Sequence, residues 1–395
     1  MNTVSHQPEI KGWCPGALRP MMSGDGLVVR VRPRGGRLSP EQAHGIADLA
    51  IRFGNGLIDL SARANVQVRG LSDKTHGPMI EGLRTLDLID LSTEAEARRN
   101  VVVTPFWQEG DGTSELVRAL TDALALDDAP QTPGKFGYAV DCGPVPVLQS
   151  VSADIRIERG DGGGLIVRAD GSEFGASVNA ETAAATALAL ARWFLDAGGA
   201  PDGRGRMVSL LARGVSLPDR FTMTRALRLA SEQPAPGPSA QGFLVGFPFG
   251  QMQARTLADL SAAGFLRVTP WRMMLIEAAT KAPPINDLIT DPGDPLLRVV
   301  ACTGAPGCPQ ALAATRPLAA ALASGLPHGA LAHVSGCAKG CAHPSPAALT
   351  LVARPEGSFD LIRNGKASDV PQLIGLLPES LVSNPDLLTE LLNAP

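Results

Sequence analysis

Ala301-Cys-Thr-Gly-Ala-Pro-Gly-Cys-Pro309 and Ser335-Gly-Cys-Ala-Lys-Gly-Cys-Ala-His-Pro344 hold four of the six cysteines of this chain. Their spacing is C-x5-C, then 28 residues, then C-x3-C. Four thiolates are the ligand set of a 4Fe-4S cluster, and the adjacent glycines let backbone amides approach the sulfurs. Structural zinc sites usually pair cysteines about two to four residues apart, so zinc fits less well and, with simple burial, is the alternative. The sequence therefore predicts a 4Fe-4S cluster on Cys302, Cys308, Cys337 and Cys341.

The residues around the first pair predict how it is held. The apolar run 296–301 is typical of a strand that ends at Cys302, and a helix-like stretch begins at Pro309. A helix N-terminus next to Cys308 would favour its thiolate.

The two halves of the chain show the same order of predicted elements. A strand over 27–31, a helix from Ser39-Pro40-Glu41-Gln42 and strands over 57–60 and 66–68 match a strand over 243–247, a helix over 257–263 and a strand over 265–268. Gly56-Leu-Ile-Asp-Leu-Ser lies opposite Gly264-Phe-Leu-Arg-Val-Thr, 208 residues later. The alternative is a chance likeness of two α+β segments. We expect two α+β repeats related by a pseudo-two-fold axis, with Thr104 of the first repeat in the place of Cys302.

Composition limits the function classes. Lys plus Arg number 35 and Asp plus Glu 39, for a net charge of −4, and there is one Tyr. This gives neither the basic field nor the stacking residues of a nucleic-acid-binding protein. No window of 18 residues is wholly apolar, and the start has no signal-peptide core. We expect a cytoplasmic protein with no membrane partner and reduced cysteines.

Basic side chains lie near strand ends at matching places in the two repeats. Each alone is typical of a solvated surface charge. Together they suggest a polyanionic ligand, because the planar guanidinium fork binds carboxylates through two hydrogen bonds. The predicted substrate-binding residues are Arg63, Arg69, Arg99, Lys135, Arg272 and Arg298.

The pattern resembles the assimilatory sulfite and nitrite reductases, which hold sirohaem against a 4Fe-4S cluster. The resemblance lies in the four cysteines with Ser-Gly before the third, in Arg63…Gln67…Arg69-Gly70, in Arg99-Asn100 and in Lys135-Phe136. It implies an α+β fold of two repeats, each a ferredoxin-like half-domain plus a mixed α/β tetrapyrrole-binding domain. The half-domains would be 14–75 and 242–290, the α/β domains 76–230 and 291–395 (with the cluster), and the proline-rich segment 231–241 a linker.

Within this superfamily the chain is similar to the precorrin-3B synthase family. The similar segments are Cys14-Pro-Gly, Pro20-Met-Met-Ser-Gly-Asp-Gly26, Arg63-Ala-Asn-Val-Gln67, Lys135-Phe-Gly137 and Cys337-Ala-Lys-Gly-Cys-Ala-His-Pro344. The resemblance implies oxygen-dependent hydroxylation of precorrin-3A at ring carbon 20, with γ-lactone formation to precorrin-3B, in aerobic cobalamin biosynthesis. It also implies dioxygen as a substrate and a reductant such as NADH.

The alternative is a sirohaem-dependent sulfite or nitrite reductase. The sequence departs from that pattern at four places. Gly137 stands for the second lysine of Lys-x-Lys, Arg69 for a histidine, His343 for an arginine and Ala348 for an acidic residue. Each change weakens a site for a small dianion, so sirohaem is the less expected cofactor of this tetrapyrrole or haem-binding site.

The catalytic candidates are His343 and Lys135. The resemblance implies a separate non-haem iron, but no 2-His-1-carboxylate spacing is visible among the histidines. A hydrogen bond that stabilises the cluster loop is an equal alternative for His343. No G-x-G-x-x-G opens a helix after a strand, so we expect electrons from a separate reductase.

Overall fold

The structure, a computed structural model, describes residues 15–229, 232–383, 390 and 392, and Cys14 lies outside them. Its strands are β1 (Met21–Ser23), β2 (Gly26–Val31), β3 (Arg37–Leu38), β4 (Leu57–Leu60), β5 (Val66–Leu71), β6 (Val101–Val103), β7 (Tyr138–Asp141), β8 (Ile155–Arg159), β9 (Leu165–Ala169), β10 (Phe174–Val178), β11 (Thr224–Arg225), β12 (Gly237–Ser239), β13 (Gly242–Gly246), β14 (Gln251–Gln253), β15 (Leu266–Val268), β16 (Met273–Glu277), β17 (Val299–Ala301), β18 (Ala332–Ser335), β19 (Ala347–Ala353), β20 (Phe359–Gly365) and β21 (Leu373–Leu376). Its α-helices are α1 (Pro40–Phe53), α2 (Asp73–Thr85), α3 (Thr93–Arg98), α4 (Thr113–Ala125), α5 (Ala180–Asp196), α6 (Met207–Ala212), α7 (Ala254–Ser261), α8 (Arg316–Leu322) and α9 (Pro378–Ser383).

The start of α1 follows the predicted capping pattern. The Ser39 hydroxyl accepts a hydrogen bond from the Gln42 amide, and the Gln42 side chain accepts one from the Ser39 amide, both at 3.1 Å. Pro40 at the first helical position loses no bond, because that amide has no partner inside a helix. The apolar face of α1 packs against α7 of the second repeat.

Two five-stranded sheets form the ferredoxin-like half-domains, and they exchange strands. The first has the order β1-β2-β5-β4-β14 and the second β12-β13-β16-β15-β3. Strand β14 of the second repeat pairs with β4 of the first, and β3 of the first repeat pairs with β15 of the second. Neither half-domain sheet is therefore completed by its own repeat.

Equivalent backbone positions support the duplication. Left-handed φ angles occur at Ala64 (52°) and again 208 residues later at Arg272 (60°). The same offset relates Gly70 (76°) to Ala278 (56°). Non-glycine residues such as Ala64, Arg272 and Ala278 seldom adopt these angles, so their occurrence at equivalent positions supports a duplication.

Two further sheets repeat one topology. In the first, β6, β7 and β8 run parallel, and β9 returns antiparallel. In the second, β17, β18 and β19 run parallel, and β20 returns antiparallel. Each sheet therefore has the same order of three parallel strands and one antiparallel strand, and the predicted α+β fold of two repeats is confirmed.

Two local predictions near the cysteines need correction. Residues Pro295–Arg298 form a 3-10 helix, so the strand before Cys302 is shortened to Val299–Ala301. The helix predicted from Pro309 begins at Arg316. The reason is that the Leu312 amide bonds to the Gly336 carbonyl of the other cysteine loop, which holds this segment in an extended connection.

Two of the predicted domain boundaries fall within helices or strands of the structure. The limit between 75 and 76 falls inside α2, which packs against α1 of the first half-domain. The proline-rich segment 231–241 contains β12, the edge strand of the second half-domain sheet. No helix among the described residues is long and apolar enough to cross a membrane.

An ion-pair cluster fixes the exchange of β3. Arg37 donates to Glu277 through Nε at 2.6 Å and Nη2 at 2.7 Å, and Arg267 donates to the same carboxylate at 2.7 Å. Burial acts to raise the pKa of Glu277, but the hydrogen bonds from Arg37 and Arg267 outweigh it and lower that pKa. Its stabilising contribution is therefore present above the unfolded-state pKa and is lost as pH falls through the folded-state pKa.

We expect Glu277→Gln to lower the free energy of unfolding by about 2 kcal/mol at neutral pH, since it weakens charged hydrogen bonds to two arginines. The difference from the native chain should shrink as pH falls through the lowered folded-state pKa of Glu277, where the native carboxylate also gains a proton. Urea unfolding at several pH values measures this. Glu81→Gln, on the exposed face of α2, is the control, and an equal, pH-independent loss in both variants would contradict the assignment.

Candidate functional site

The two cysteine loops leave neighbouring parallel strands at the same edge of their sheet. Cys302 directly follows β17, and Cys337 comes two residues after the end of β18. Strands β17 and β18 pair in parallel, with Ala301 opposite Val334. Because the carboxyl ends of parallel strands meet at one edge, the two loops face each other, a usual position for a ligand in such sheets.

Backbone contacts hold these loops together. The Gly336 amide donates to the Cys302 sulfur at 3.2 Å, and the Leu312 amide donates to the Gly336 carbonyl at 2.8 Å. A Cβ at position 336 would lie 2.6 Å from the Cβ of Ala311. Glycine is thus required for the close approach that places an amide on the cysteine sulfur.

The four thiols lie within electrostatic reach of one another. Burial raises the pKa of Cys337 and of Cys341, and the charges of Cys302 and Cys308 raise both further. Among the described residues, no three or more His, Cys, Asp or Glu side chains could hold a single metal ion. A 4Fe-4S cluster is compatible with this finding, since each of its four cysteines binds a different iron atom and the thiols need not converge on one ion.

The first cysteine loop is tied to the first half-domain through one carbonyl. Gly307 O accepts hydrogen bonds from the Ser23 hydroxyl at 2.6 Å, the Gly24 amide at 3.2 Å and Arg69 Nη2 at 2.8 Å. A side chain at Gly24 would collide with the Pro306 carbonyl. The first cysteine loop therefore packs directly on the turn between β1 and β2.

Arg69 and Asp59 form the buried centre of this contact. Arg69 is 4% exposed and Asp59 6% exposed. Arg69 donates twice to Asp25, at 2.7 and 2.8 Å, and once to Asp59 at 3.0 Å. The other Asp59 oxygen accepts from Gln251 at 2.9 Å and from Arg316 at 3.2 Å. Asp59 thereby connects the first half-domain, the exchanged strand β14 and the domain that carries the four cysteines.

A cavity of about 350 Å³ lies beside this centre and reaches two of the cysteines. Four arginines and one carboxylate dominate its charge, so it favours an anion. Its polar and cysteine lining comprises Arg30, Asp59, Ser61, Arg63, Gln67, Arg272, Cys302, Thr303, Arg316 and Cys341.

Each cavity arginine is positioned by a hydrogen bond. Arg30 donates to the Gln67 side chain at 2.8 and 3.1 Å, and Arg63 donates to the Lys135 carbonyl at 3.0 Å. Arg272 donates to the Ala342 carbonyl at 3.2 Å. Its pKa is lowered by burial and by the neighbouring Arg316, so a bound anion would relieve this repulsion. Arg272 also has the left-handed φ noted above, a strain that often marks functional positions.

The cavity contains Arg63 and Arg272 of the predicted set, and Arg30 and Arg316 were missed. The sequence held a signal for Arg30, which alternates with apolar residues on β2 directly opposite Gln67 on β5. Arg316 follows a segment that was predicted as helix, so its position beside Asp59 could not be anticipated.

Other predicted residues have different contacts. Arg99 donates twice to Asp90, at 2.6 and 2.7 Å, and to the Arg32 carbonyl, all buried. Arg298 donates to the Leu326 and Pro327 carbonyls. These contacts stabilise the fold, as do those of Arg69, and the predicted substrate role of these three residues has no support from their positions.

The two predicted catalytic residues lie at the margin of the site. Lys135 is exposed and contributes its carbonyl to Arg63. His343 is half-buried directly after Ala342, and its ring contacts that of His333 edge-on. Neither side chain lines the cavity.

Comparison with known proteins agrees with this architecture. Residues 19–86 match the nitrite/sulfite reductase ferredoxin-like half domain. The solved structure of the Mycobacterium tuberculosis NirA protein superposes with a TM-score of 0.67, at 17% identity, over 93% of this chain and 81% of that one. The chain therefore has the fold of the nitrite and sulfite reductases.

Two curated proteins are similar to this chain in sequence. A precorrin-3B synthase of Sinorhizobium sp is 28% identical over 91% of this chain and 84% of its own length. The sulfite reductase [NADPH] hemoprotein beta-component of Shouchella clausii is 33% identical over 101 residues, 25% of this chain and 18% of that protein. The resemblance predicted from the sequence, to precorrin-3B synthase within the nitrite and sulfite reductase superfamily, is confirmed.

We expect Arg69→Met to lower the free energy of unfolding by about 3 kcal/mol, because it leaves the half-buried Asp25 without its ion-pair partner and removes one of the two arginines that pair with the buried Asp59. Urea unfolding followed by circular dichroism measures the change. Arg52→Met, on the exposed face of α1, should have almost no effect. A loss below about 1 kcal/mol for Arg69→Met would show that this ion pair does not hold the cluster loop in place.

Proposed function

We propose that this chain catalyses the oxygen-dependent hydroxylation of precorrin-3A at ring carbon 20, with γ-lactone formation to precorrin-3B, in aerobic cobalamin biosynthesis. The observation that carries the proposal is a cavity with four arginines that also exposes Cys302 and Cys341. The match to a precorrin-3B synthase over 91% of the chain supports it.

The arginines suit a polycarboxylate substrate. Precorrin-3A carries acetate and propionate groups around its ring, and a guanidinium binds a carboxylate through two parallel hydrogen bonds. Arg30 and Arg63 come from the first half-domain, Arg272 from the second and Arg316 from the cluster-bearing domain. Their different origins place positive charge on several sides of a bound ring edge, which would fix its orientation.

The cysteine site fits a 4Fe-4S cluster in its donor set and in its amide. Cys302, Cys308, Cys337 and Cys341 would hold the cluster, which supplies single electrons when bound. The Gly336 amide already donates to one of these sulfurs, a contact that tunes the reduction potential of such a centre. We propose that a separate cytoplasmic reductase delivers the electrons, with NADH as the source, because no dinucleotide-binding fingerprint occurs in the sequence.

The second candidate function is a sirohaem-dependent sulfite or nitrite reductase, which the 101-residue match to a sulfite reductase favours. The chemistry at position 69 speaks against it. The Arg69 side chain has ion pairs with Asp25 and Asp59 and a bond to Gly307, so its charge is neutralised inside the fold. A small dianion would find no cation there.

We expect Arg63→Gln and Arg272→Gln each to raise the dissociation constant for precorrin-3A about tenfold or more, since each removes a charged hydrogen bond worth about 1.5–3 kcal/mol. Spectrophotometric titration of the anaerobic protein measures this. Arg118→Gln, an exposed arginine on α4, is the matched control. Unchanged affinity in both cavity variants would refute the assigned substrate site.

Admission of air and reductant to the same samples tests the reaction. The native protein should be brown and free of sirohaem when purified, and should convert precorrin-3A to a product with one additional hydroxyl group. A protein that arrives with bound sirohaem, leaves precorrin-3A unchanged and reduces sulfite or nitrite would establish the second candidate instead.

A further inference from the structure

A strained aromatic residue lies in the wall of the arginine cavity. Phe249, at the centre of the 3-10 turn Pro248–Gly250, has a φ angle of 55° and a ψ angle of 19°. In this left-handed region a β-carbon approaches the following carbonyl oxygen too closely, so residues other than glycine seldom adopt it. Strain of this kind is found mainly where the surrounding structure imposes it for a function.

The first repeat has a glycine at the equivalent position. Its turn Arg34–Gly36 directly precedes the exchanged strand β3, just as Pro248–Gly250 directly precedes the exchanged strand β14. The central residue, Gly35, has a φ angle of 62° and a ψ angle of 15°, close to those of Phe249. Glycine adopts these angles without steric cost. The turn itself therefore does not require a side chain, and the phenyl ring in the second repeat has another purpose.

The turn is fixed beside a cavity arginine. A Cβ placed on Gly250 would lie 2.7 Å from the Cβ of Arg272, so the turn packs directly on that residue. On its other side, Gln251 donates to Asp59 at 2.9 Å. The half-buried ring of Phe249 packs against the core of the domain that carries the four cysteines, and it also lines the cavity. The position of the ring relative to the arginines is therefore set by the fold.

The cavity has an apolar side in addition to its charges. Among the described residues that line it, Phe249 is the one aromatic, and aliphatic surface is added by Leu60, Ala62, Ala301 and Ala342. A small dianion would gain nothing from this surface, because hydrophobic and dispersion contacts need an apolar partner. A macrocycle with carboxylates on its rim matches both sides of the cavity, since its edge meets guanidinium groups and its face meets a phenyl ring.

We propose that Phe249 is a substrate-binding residue whose ring packs against the macrocycle of the tetrapyrrole while the arginines bind its carboxylates. The identity of the ligand rests on the proposed function. The strained backbone is then the cost of holding an aromatic ring at a position where the first repeat has glycine. An aromatic contact together with the apolar area that it buries corresponds to about a tenfold change in the dissociation constant.

The test titrates anaerobically purified protein with precorrin-3A and, separately, with uroporphyrin, a stable tetrapyrrole that also carries acetate and propionate groups. Phe249→Gly should raise both dissociation constants about tenfold, because it keeps the backbone conformation and removes the ring. Phe249→Tyr, which keeps an aromatic ring, should bind as the native chain does. The loss in Phe249→Gly should also be the same at low and high salt, whereas that in Arg272→Gln should shrink at high salt, since only the second removes a charge.

The chain offers a matched control in Asp202→Gly. Asp202 is exposed, has a φ angle of 53° and stands between Pro201 and Gly203, so it shares the Pro-x-Gly sequence and the left-handed backbone of Phe249. It does not line the cavity. This variant should bind both tetrapyrroles as the native chain does, which separates the loss of the ring from a change of backbone strain.

Native affinity of Phe249→Gly for both tetrapyrroles would overturn the inference, as would a native chain that binds neither of them. If Phe249→Gly does not fold by circular dichroism, Phe249→Ala decides the outcome. A native chain that converts precorrin-3A, with unchanged affinity in the variant, would refute this role of Phe249 alone. A native chain that binds uroporphyrin through Phe249 but leaves precorrin-3A unbound and unconverted would contradict the proposed function and leave the ring contact standing.

Discussion

The carboxylate of Asp59 holds the molecule together at the point where its parts meet. It accepts hydrogen bonds from Arg69 of its own half-domain, from Gln251 of the exchanged strand and from Arg316 of the domain that carries the four cysteines. Removing such a group from water is costly, and the cost is offset only when every oxygen finds a partner. Asp59 meets that condition, and its position therefore fixes three segments relative to one another. The ion pair is repeated with its charges reversed, since 208 residues later Arg267 stands for Asp59 and Glu277 for Arg69.

The two ion-pair networks occupy equivalent places in the repeats but lie beside different loops. In the second repeat Arg267 also donates to the Pro105 and Trp107 carbonyls of the first repeat, so each of the two networks links the repeats. The first network lies under Gly307 and the cysteine loops. The second lies under the equivalent loop, where Thr104 takes the place of Cys302 and no cysteine ligand set exists. The cysteine pattern is thus confined to the second copy, whereas both copies contribute arginines to the cavity.

The sequence predicted what depends on local pattern. The start of the helix at Ser39 and the 208-residue offset between the repeats follow from local sequence pattern, and both are present. The exchange of β3 and β14 could not be predicted, because two- and three-residue strands carry no periodic signal. The same limit applies to the arginines. Whether an arginine faces a ligand or a carboxylate depends on sheet register, so Arg63 could not be distinguished from Arg99 before the partners of each were known.

The surroundings of His333 could not be predicted from the sequence either, since a histidine inside an apolar strand is typical of an ordinary core residue. Its ring is enclosed because β18 lies between β17 and β19. The tight turn at Gly340 then brings the His343 ring into contact with it. Cys337 and Cys341 belong to that same loop, so one short segment presents sulfur to one neighbour and imidazole to another. For the proposed function this arrangement matters, because the distance between the cysteine site and the arginine cavity is then set by a few residues of rigid backbone and not by the packing of separate domains.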